Sequence, residues 1–184
     1  MRIALIAIAT TVFLVACGTT PEPKTTAPSA QSAAKQAVAN LASASGSLVS
    51  GKVTVTPMAG GVHLTGTVGG LPANSTHGFH IHEKGDCSAA DASSAGPHFN
   101  PSAAAHGKAE SGAHHAGDMD NVVANAEGVV SLDVHVSGVT LGGGASNDIA
   151  GRALVVHAAP DDYTSQPAGN AGARVACGVI TVTQ

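Results

Sequence analysis

The sequence predicts an all-β protein, built as an antiparallel sandwich or barrel. Apolar and polar residues alternate from Val62 to Val68 and again from Val130 to Ser137, which is the period of a half-buried strand. Clusters of glycine and proline, such as Gly69-Gly70-Leu71-Pro72, separate these runs. No segment has the pattern of an amphipathic helix. With three Phe, one Tyr and no Trp, the core must be filled by Val, Leu, Ile and Ala.

Residues 1–16 have the pattern of a secretory signal peptide. Arg2 is followed by an almost wholly apolar run that is too short to span a membrane as a stable helix. The run ends in Leu14-Val15-Ala16-Cys17, which resembles a bacterial lipobox, in which the cysteine thiol takes the lipid. The alternative is an ordinary signal peptide followed by a chance cysteine. We expect export to the periplasm or cell envelope, with attachment to the membrane through lipid on Cys17.

Residues 17–34 are predicted to be a lipidated cysteine and a flexible linker. They are rich in Pro, Thr, Ser and Ala and lack a hydrophobic period, so they cannot bury enough apolar surface to offset the entropy of ordering. Residues 35–184 then form one domain of about 150 residues, a size that supports a core of its own. Val38 and Leu41 are assigned to its first strand.

Composition narrows the choice of partners. The net charge is −4, which argues against nucleic acid. The chain has three cysteines. If Cys17 carries lipid, Cys87 and Cys177 remain as a pair, and an oxidising compartment allows such a pair to form a disulfide.

The ten histidines are the strongest functional signal, because imidazole is the commonest side-chain metal ligand. His80 and His82 are two residues apart, so on a strand they project from one face about 6.5 Å apart. His77 has the opposite parity and is predicted to be a supporting, hydrogen-bonded residue. His63 and His135 fall on the polar faces of their strands and are predicted to be solvated surface residues.

Further candidate ligands follow on a long Gly- and Pro-rich loop. Three imidazoles and a carboxylate make a tetrahedral zinc set, and His114 beside His115 implies that one of the two is a bystander. A last strand, Gly151–His157, ends in a histidine with Asp161 and Asp162 just beyond. The loop candidates are His98, His106, His114, His115 and Asp118.

Five segments together resemble the copper/zinc superoxide dismutase family. They are GFHIHEKGDC, SSAGPHFNP, HHAGD, GRALVVH and GNAGARVACGVI, and they occur in the family's order between about residue 35 and the C-terminus. The resemblance implies a Greek-key antiparallel β-barrel of eight strands, related in architecture to immunoglobulin-like sandwiches, with long metal-bearing loops. It implies an enzyme that disproportionates superoxide to dioxygen and hydrogen peroxide.

The resemblance also assigns the ligands. His98 would bridge the two metals as an imidazolate, leave copper on reduction and take a proton for the product. The spacing of the family's pattern selects His115 over His114. The implied copper ligands are His80, His82, His98 and His157, and the implied zinc ligands are His98, His106, His115 and Asp118.

Four other residues receive roles from the same resemblance. Asp161 would connect a ligand of each metal, Arg174 would attract the anion beside copper, and Cys87 and Cys177 would form the intrasubunit disulfide. The alternative function is a non-catalytic copper-binding or copper-delivery domain on the same barrel. Such domains are expected to lose a zinc ligand, the bridge or the arginine, and this chain keeps all of them.

Two features of the sequence depart from the family's eukaryotic pattern, and they concern the electrostatic steering of the anion and the assembly of subunits. Ala158-Ala159-Pro160 follows His157 and lacks the lysine that many eukaryotic members carry there, so Lys84 or Lys108 is the expected substitute. Cys87 follows His82 by only five residues, as in bacterial members. This argues against the eukaryotic type of dimer interface and leaves monomer and homodimer open.

Overall fold

The all-β, antiparallel prediction is confirmed by a computed structural model that describes residues 32–184. The predicted signal peptide, Cys17 and the linker as far as residue 31 lie outside the described residues. Within residues 32–184, no helix is long and apolar enough to cross a membrane. The domain boundaries stay a prediction.

Ten strands and one short 3-10 helix make up the described chain. The helix is Ser93–Ala95. The strands are β1 (Ala37–Ser43), β2 (Ser50–Met58), β3 (Gly61–Gly69), β4 (Thr76–His77), β5 (Phe79–His82), β6 (Val122–Val123), β7 (Val130–Ser137), β8 (Ala153–His157), β9 (Arg174–Val179) and β10 (Thr181–Val182).

Eight of the strands form one curled antiparallel sheet in the order β5-β8-β9-β1-β2-β3-β7, with β10 also paired to β1. The first three strands are consecutive neighbours, whereas the later strands return by long connections, as Greek-key topologies do. A second, two-stranded sheet pairs β4 with β6. Since β4 precedes one edge strand, β5, and β6 precedes the other, β7, this pair brings the two edges of the large sheet towards each other.

The core lies inside the curl of the sheet and is aliphatic, as predicted. Val53 and Val55 of β2 face it, while the residues between them along the strand are more exposed. Across the pairing, Leu64 of β3 lies opposite Val55 and is fully buried. The alternation predicted for β3 and β7 is thus the alternation between core and outer face.

β5 and β8 differ from the other strands because they are buried on both faces. Phe79 and Ile81 point into the core, so period two sends His80 and His82 to the outer face. Long loops cover that face. A small apolar cluster of loop and strand residues extends the cover: Ala44, Ala92, Ala95, Ala153, Val155 and Cys177.

The disulfide implied by the resemblance is present. Cys87 in the loop after β5 is bonded to Cys177 of β9, with their Cα atoms 5.7 Å apart. The bond ties this covering loop to the body of the sheet. His98 lies eleven residues after Cys87 in the same loop, so the disulfide limits how far a candidate ligand can move.

Candidate metal centre

A first group of four imidazoles gathers on the outer face of β5 and β8. His80 and His82 come from β5, and His157 ends β8 where the register with β9 shifts. His98 comes from the covering loop and forms an isolated bridge with His82. One ring nitrogen from each residue lies within 4.8 Å of the others, and all four side chains are buried.

Backbone carbonyls orient two of these rings from behind. His82 Nδ1 donates to the Gly96 carbonyl at 2.8 Å, and His157 Nδ1 points at the Gly172 carbonyl at 3.3 Å. Their Nε2 atoms then face each other at 3.3 Å. A proton on Nδ1 leaves the lone pair on Nε2, so both rings present their metal-binding atom to the same point.

A second group lies in the loop between β5 and β6. The carboxylate of Asp118 is 2.8 Å from His98 Nδ1, 3.1 Å from His106 Nδ1 and 3.2 Å from His115 Nδ1. The backbone N–H groups of His115 and Gly107 hold its other side by donating to Oδ2. Three imidazole nitrogens and one carboxylate therefore converge, again with their ligand atoms within 4.8 Å.

Three buried ring nitrogens at this centre have no hydrogen-bond partner among the described residues. They are His80 Nδ1, His98 Nε2 and His106 Nδ1; the last is close to Asp118 but is not aligned for a hydrogen bond. An unsatisfied buried polar atom costs about 1–3 kcal/mol. Each of these atoms belongs to one of the two groups, so the residues present fit a metal ion in each.

Asp161 joins the two groups from behind. Its carboxylate accepts from His80 Nε2 at 2.7 Å and from His106 Nε2 at 3.0 Å. Asn121 fixes the aspartate by bonding both its backbone N–H and its carbonyl, and the backbone N–H of Tyr163 donates to the carboxylate. One carboxylate thereby orients one ring of each group.

The electrostatics favour the ligand forms of these side chains. Burial, reinforced by the neighbouring imidazole His98, lowers the pKa of His82 to about 2, and burial with the charge of His80 lowers the pKa of His157 to about 3. Burial alone would raise the pKa of Asp118, but hydrogen bonds from His98 and the His115 backbone outweigh it and hold that pKa below its usual range. His82 and His157 are thus neutral imidazoles and Asp118 is an ionised carboxylate, the forms that bind metal.

Arg174 stands at the mouth of the first group. A cleft of about 980 Å³ is lined by Arg174 together with His82, His98 and His157. The guanidinium donates to the carbonyls of Ala92 and Gly96, both at 2.7 Å. These bonds fix a positive charge beside the cleft that these histidines line.

The other histidines fall outside the two groups. His114 is half-buried, with its ring nitrogen Nδ1 against the Gly112 carbonyl. His77 donates from Nδ1 to the His157 carbonyl at 2.8 Å, while Ser75 Oγ lies 2.6 Å from its Nε2. His77 therefore supports the backbone of a candidate ligand. His63 is half-buried rather than fully solvated, because it packs against Asp133 and His135.

The two candidate steering lysines differ in position. The side chain of Lys84 runs beside Gly96, whereas the ammonium of Lys108 lies 5.6 Å from the ring centroid of Tyr163. Neither is among the described residues that line the cleft. Their part in steering stays a prediction.

One supporting residue that the sequence analysis missed is Gln166. Its side-chain amide accepts from the His106 N–H and donates to the His106 carbonyl, both at 2.9 Å. The two residues are 60 positions apart, and no local pattern marks the pair.

The fold and the centre together define a β-barrel protein with two adjacent groups of metal-ligating side chains that share one imidazole. Comparison with known proteins identifies the class more closely. The family model for copper/zinc superoxide dismutase (SODC) matches residues 49–180. The chain belongs to the copper/zinc superoxide dismutase family, an oxidoreductase family that uses copper and zinc.

Two curated relatives come from Aquifex aeolicus (strain VF5). Superoxide dismutase (Cu-Zn) 2 is 43% identical over 148 residues, which is 79% of this chain and 86% of the relative. Superoxide dismutase (Cu-Zn) 1 is 44% identical over 133 residues, which is 71% of this chain and 79% of the relative. The names of both relatives agree with the family that the motifs indicate.

Solved structures show the same fold. One, described as the clock protein EA4, has a TM-score of 0.73 and 38% identity, covering 82% of this chain and 96% of its own. Another, a double mutant of a superoxide-dismutase-like protein from Bacillus subtilis, has a TM-score of 0.71 and 35% identity, covering 78% of this chain and 96% of its own. These likenesses agree with the predicted Greek-key barrel.

Proposed function

We propose that the chain disproportionates superoxide with copper in the first group and zinc in the second. Copper would be held by His80, His82, His98 and His157, and zinc by His98, His106, His115 and Asp118. A group of four imidazoles suits Cu(II), while three imidazoles with a carboxylate suit zinc. The cleft supports this order, because three of the four imidazoles of the first group line it beside Arg174, against only His98 and His115 of the second, and a redox metal must meet its substrate.

The shared imidazole is the single observation that carries the proposal. His98 directs Nδ1 at Asp118, a member of the second group, and leaves Nε2 without a partner among the described residues. Its two nitrogens are therefore available to two different ions. When bound, copper supplies one-electron chemistry that oxidises one superoxide to dioxygen and reduces the next to hydrogen peroxide.

The chain's own residues supply charge and protons. The guanidinium of Arg174 attracts the superoxide anion to the cleft. His98 can hold a proton at Nε2 between the two half-reactions while Nδ1 stays on the zinc side. Two superoxide anions and two protons then give one dioxygen and one hydrogen peroxide.

Substitution of His157 tests the ligand assignment. His157 belongs only to the first group, so His157→Ala should lose most of the dismutation activity and copper while it keeps zinc. Metal analysis and an activity assay measure the two effects, and circular dichroism checks the fold. His114→Ala, which removes a half-buried imidazole outside both groups, is the matched control. Near-normal activity of a folded His157→Ala protein would refute the copper assignment.

We also propose that the protein is exported and anchored by lipid on Cys17. The support is the Leu14-Val15-Ala16-Cys17 sequence after an apolar run, followed by a polar stretch. One acyl chain anchors only marginally, so stable attachment needs more than one.

The test of anchoring is fractionation with mass analysis of the N-terminus. We expect the mature protein in the membrane fraction and a mislocalised or uncleaved Cys17→Ser precursor. A form that begins at Ser32, whose Oγ accepts from the Leu141 N–H at 2.8 Å, should be soluble and active. Wild-type protein in the soluble fraction with an unmodified N-terminus would contradict anchoring. The homodimer also stays a prediction, which the mass of this soluble form in solution checks.

A further inference from the structure

A third group of ligand atoms lies on the outer face of the sheet. It consists of His63 on β3 with Asp133 and His135 on β7, and one ligand atom from each lies within 4.8 Å of the others. None of the three belongs to the copper or zinc groups described above. They are half-buried or exposed, in contrast to the fully buried ligands of the two groups.

The strand register builds this group. His63 and His135 are direct partners across the antiparallel β3–β7 pair, so their Cβ atoms start about 5 Å apart. Their rings meet edge to face with centroids 4.6 Å apart. Asp133 is two residues from His135 on the same face, and its Oδ1 reaches His63 Nε2 diagonally at 2.6 Å.

The scaffold beneath the group is rigid. β3 and β7 keep an unbroken register along eight successive pairs, from Gly61–Ser137 to Val68–Val130, and the residues flanking the two histidines face the core. A site on paired strands is held more precisely than one on loops. The three ligand atoms therefore lie close together before any ion arrives.

The charge and exposure of the face suit a cation. The side chain of Asp133 is 82% exposed and that of His63 31% exposed. A second carboxylate lies nearby, since Glu110 accepts from Ser137 Oγ at 3.0 Å, and Ser137 is the next outward residue after His135 on β7. Both carboxylates favour a positive ion beside the imidazoles.

We propose that His63, Asp133 and His135 form a third, surface metal site for a divalent ion of the zinc–copper class. Two imidazoles and one carboxylate are a known ligand set for zinc with an open fourth position, and imidazole also suits Cu(II). The open face lets water complete the coordination. An ion here exchanges with solution more readily than one in the buried centre.

The test begins with the fully copper- and zinc-loaded protein, titrated with Zn(II) by equilibrium dialysis and metal analysis. We expect one additional equivalent of zinc to bind. His63→Gln and His135→Gln should each weaken its affinity at least tenfold, because even groups that only support a ligand contribute about 10–100-fold. Asp133→Asn should weaken it as well. The dismutation rate and the two resident metals should stay unchanged, which separates this result from a failure of the proposed function.

Matched controls remove the same chemistry elsewhere. His114→Gln deletes a half-buried imidazole outside the group, and Glu127→Gln deletes an exposed carboxylate in the turn before β7. Neither should change the additional equivalent. A Cu(II) titration followed by electron paramagnetic resonance provides a second readout, a nitrogen-coordinated signal in addition to that of the resident copper, which His135→Gln should weaken. The proposal fails if no additional zinc binds, if His63→Gln and His135→Gln bind it like the wild type, or if the control variants lose it.

Discussion

Substitution of Gly169 by alanine tests how strongly Asp161 supports both metals. Gly169 has a φ of +65°, and a Cβ added there would overlap the Asp161 carboxylate and lie 2.6 Å from His106 Nε2. All three of the nearest atoms belong to side chains, so the Asp161 carboxylate must move away to accommodate the added atom. It then loses its 2.7 Å and 3.0 Å hydrogen bonds to His80 and His106, because bonds of this kind are lost beyond about 3.5 Å.

The expected effect has two parts. Loss of the partner that orients a ligand typically lowers metal affinity about 10–100-fold, which corresponds to about 1.4–2.8 kcal/mol, and here one ligand of each group is released. The left-handed backbone adds about 1–2 kcal/mol of destabilisation for any residue other than glycine. Gly151→Ala isolates the second part, because Gly151 has a φ of +76° and an added Cβ meets no atom within 4 Å.

Competition with a chelator, followed by metal analysis, measures the affinities of both variants and the wild type. We expect Gly169→Ala to release copper and zinc at lower chelator concentration, while Gly151→Ala loses stability but keeps wild-type metal affinity. Thermal unfolding of the metal-free proteins should show a larger loss for Gly169→Ala, because that variant also breaks the two buried hydrogen bonds of Asp161. Wild-type affinity for both metals in Gly169→Ala would refute the supporting role of Asp161.

Three further predictions concern charge, covalent structure and protonation. Arg174→Glu should lower the dismutation rate sharply. The wild-type rate should fall as ionic strength rises, since exposed charges are screened beyond about 8 Å at physiological salt. A rate that does not depend on salt, together with a fully active Arg174→Glu variant, would contradict electrostatic attraction of superoxide by Arg174. The Cys87–Cys177 bond, with a sequence separation of 90 residues, should add about 4–5 kcal/mol to the free energy of unfolding. Denaturant unfolding of the variant with serine at both positions measures this contribution. A variant as stable as the wild type would contradict the stabilising role of the disulfide. In the metal-free protein burial holds the pKa values of His82 and His157 at about 2 and about 3, whereas the unfolded chain takes up these protons below about pH 6.5. The free energy of unfolding should therefore fall as the pH drops from about 6.5 towards 3, by up to about 1.4 kcal/mol per pH unit for each ring; urea titrations that show constant stability over this range would contradict it.

Elements with a half-buried face were predictable from the sequence. The alternation over Val62–Val68 and Val130–Ser137 matches β3 and β7, because each keeps one face in the core and one towards solvent. β4, β6 and β10 have only two residues each, which is too short for any period to show. They exist because neighbouring strands offer hydrogen bonds, and that is a property of the tertiary fold.

In the candidate centre, too, local relations were predictable from the sequence and long-range ones were not. Parity alone predicted that His80 and His82 share one face of a strand, as they do on β5, because that relation is local. His77, predicted to have the opposite parity, lies on the separate strand β4. The resemblance supplied the loop ligands, whose convergence depends on long-range packing. Neither source indicated the outer-face group, since the pairing of His63 with His135 depends on a strand register that connects residues 72 positions apart.

The carbonyl of Gly96 has a consequence for any attempt to redesign the cleft. It accepts hydrogen bonds from both His82 Nδ1 and Arg174 Nη2, so the arginine that attracts the anion and a candidate copper ligand are held by the same carbonyl. Gly96 has a φ of +73° and a ψ of −160°, a conformation essentially restricted to glycine. A substitution at Gly96 would turn the carbonyl and so displace the Arg174 guanidinium and the His82 imidazole together. Substrate capture and metal geometry therefore cannot be tuned one at a time through this loop, and changes in the two must be selected as a pair.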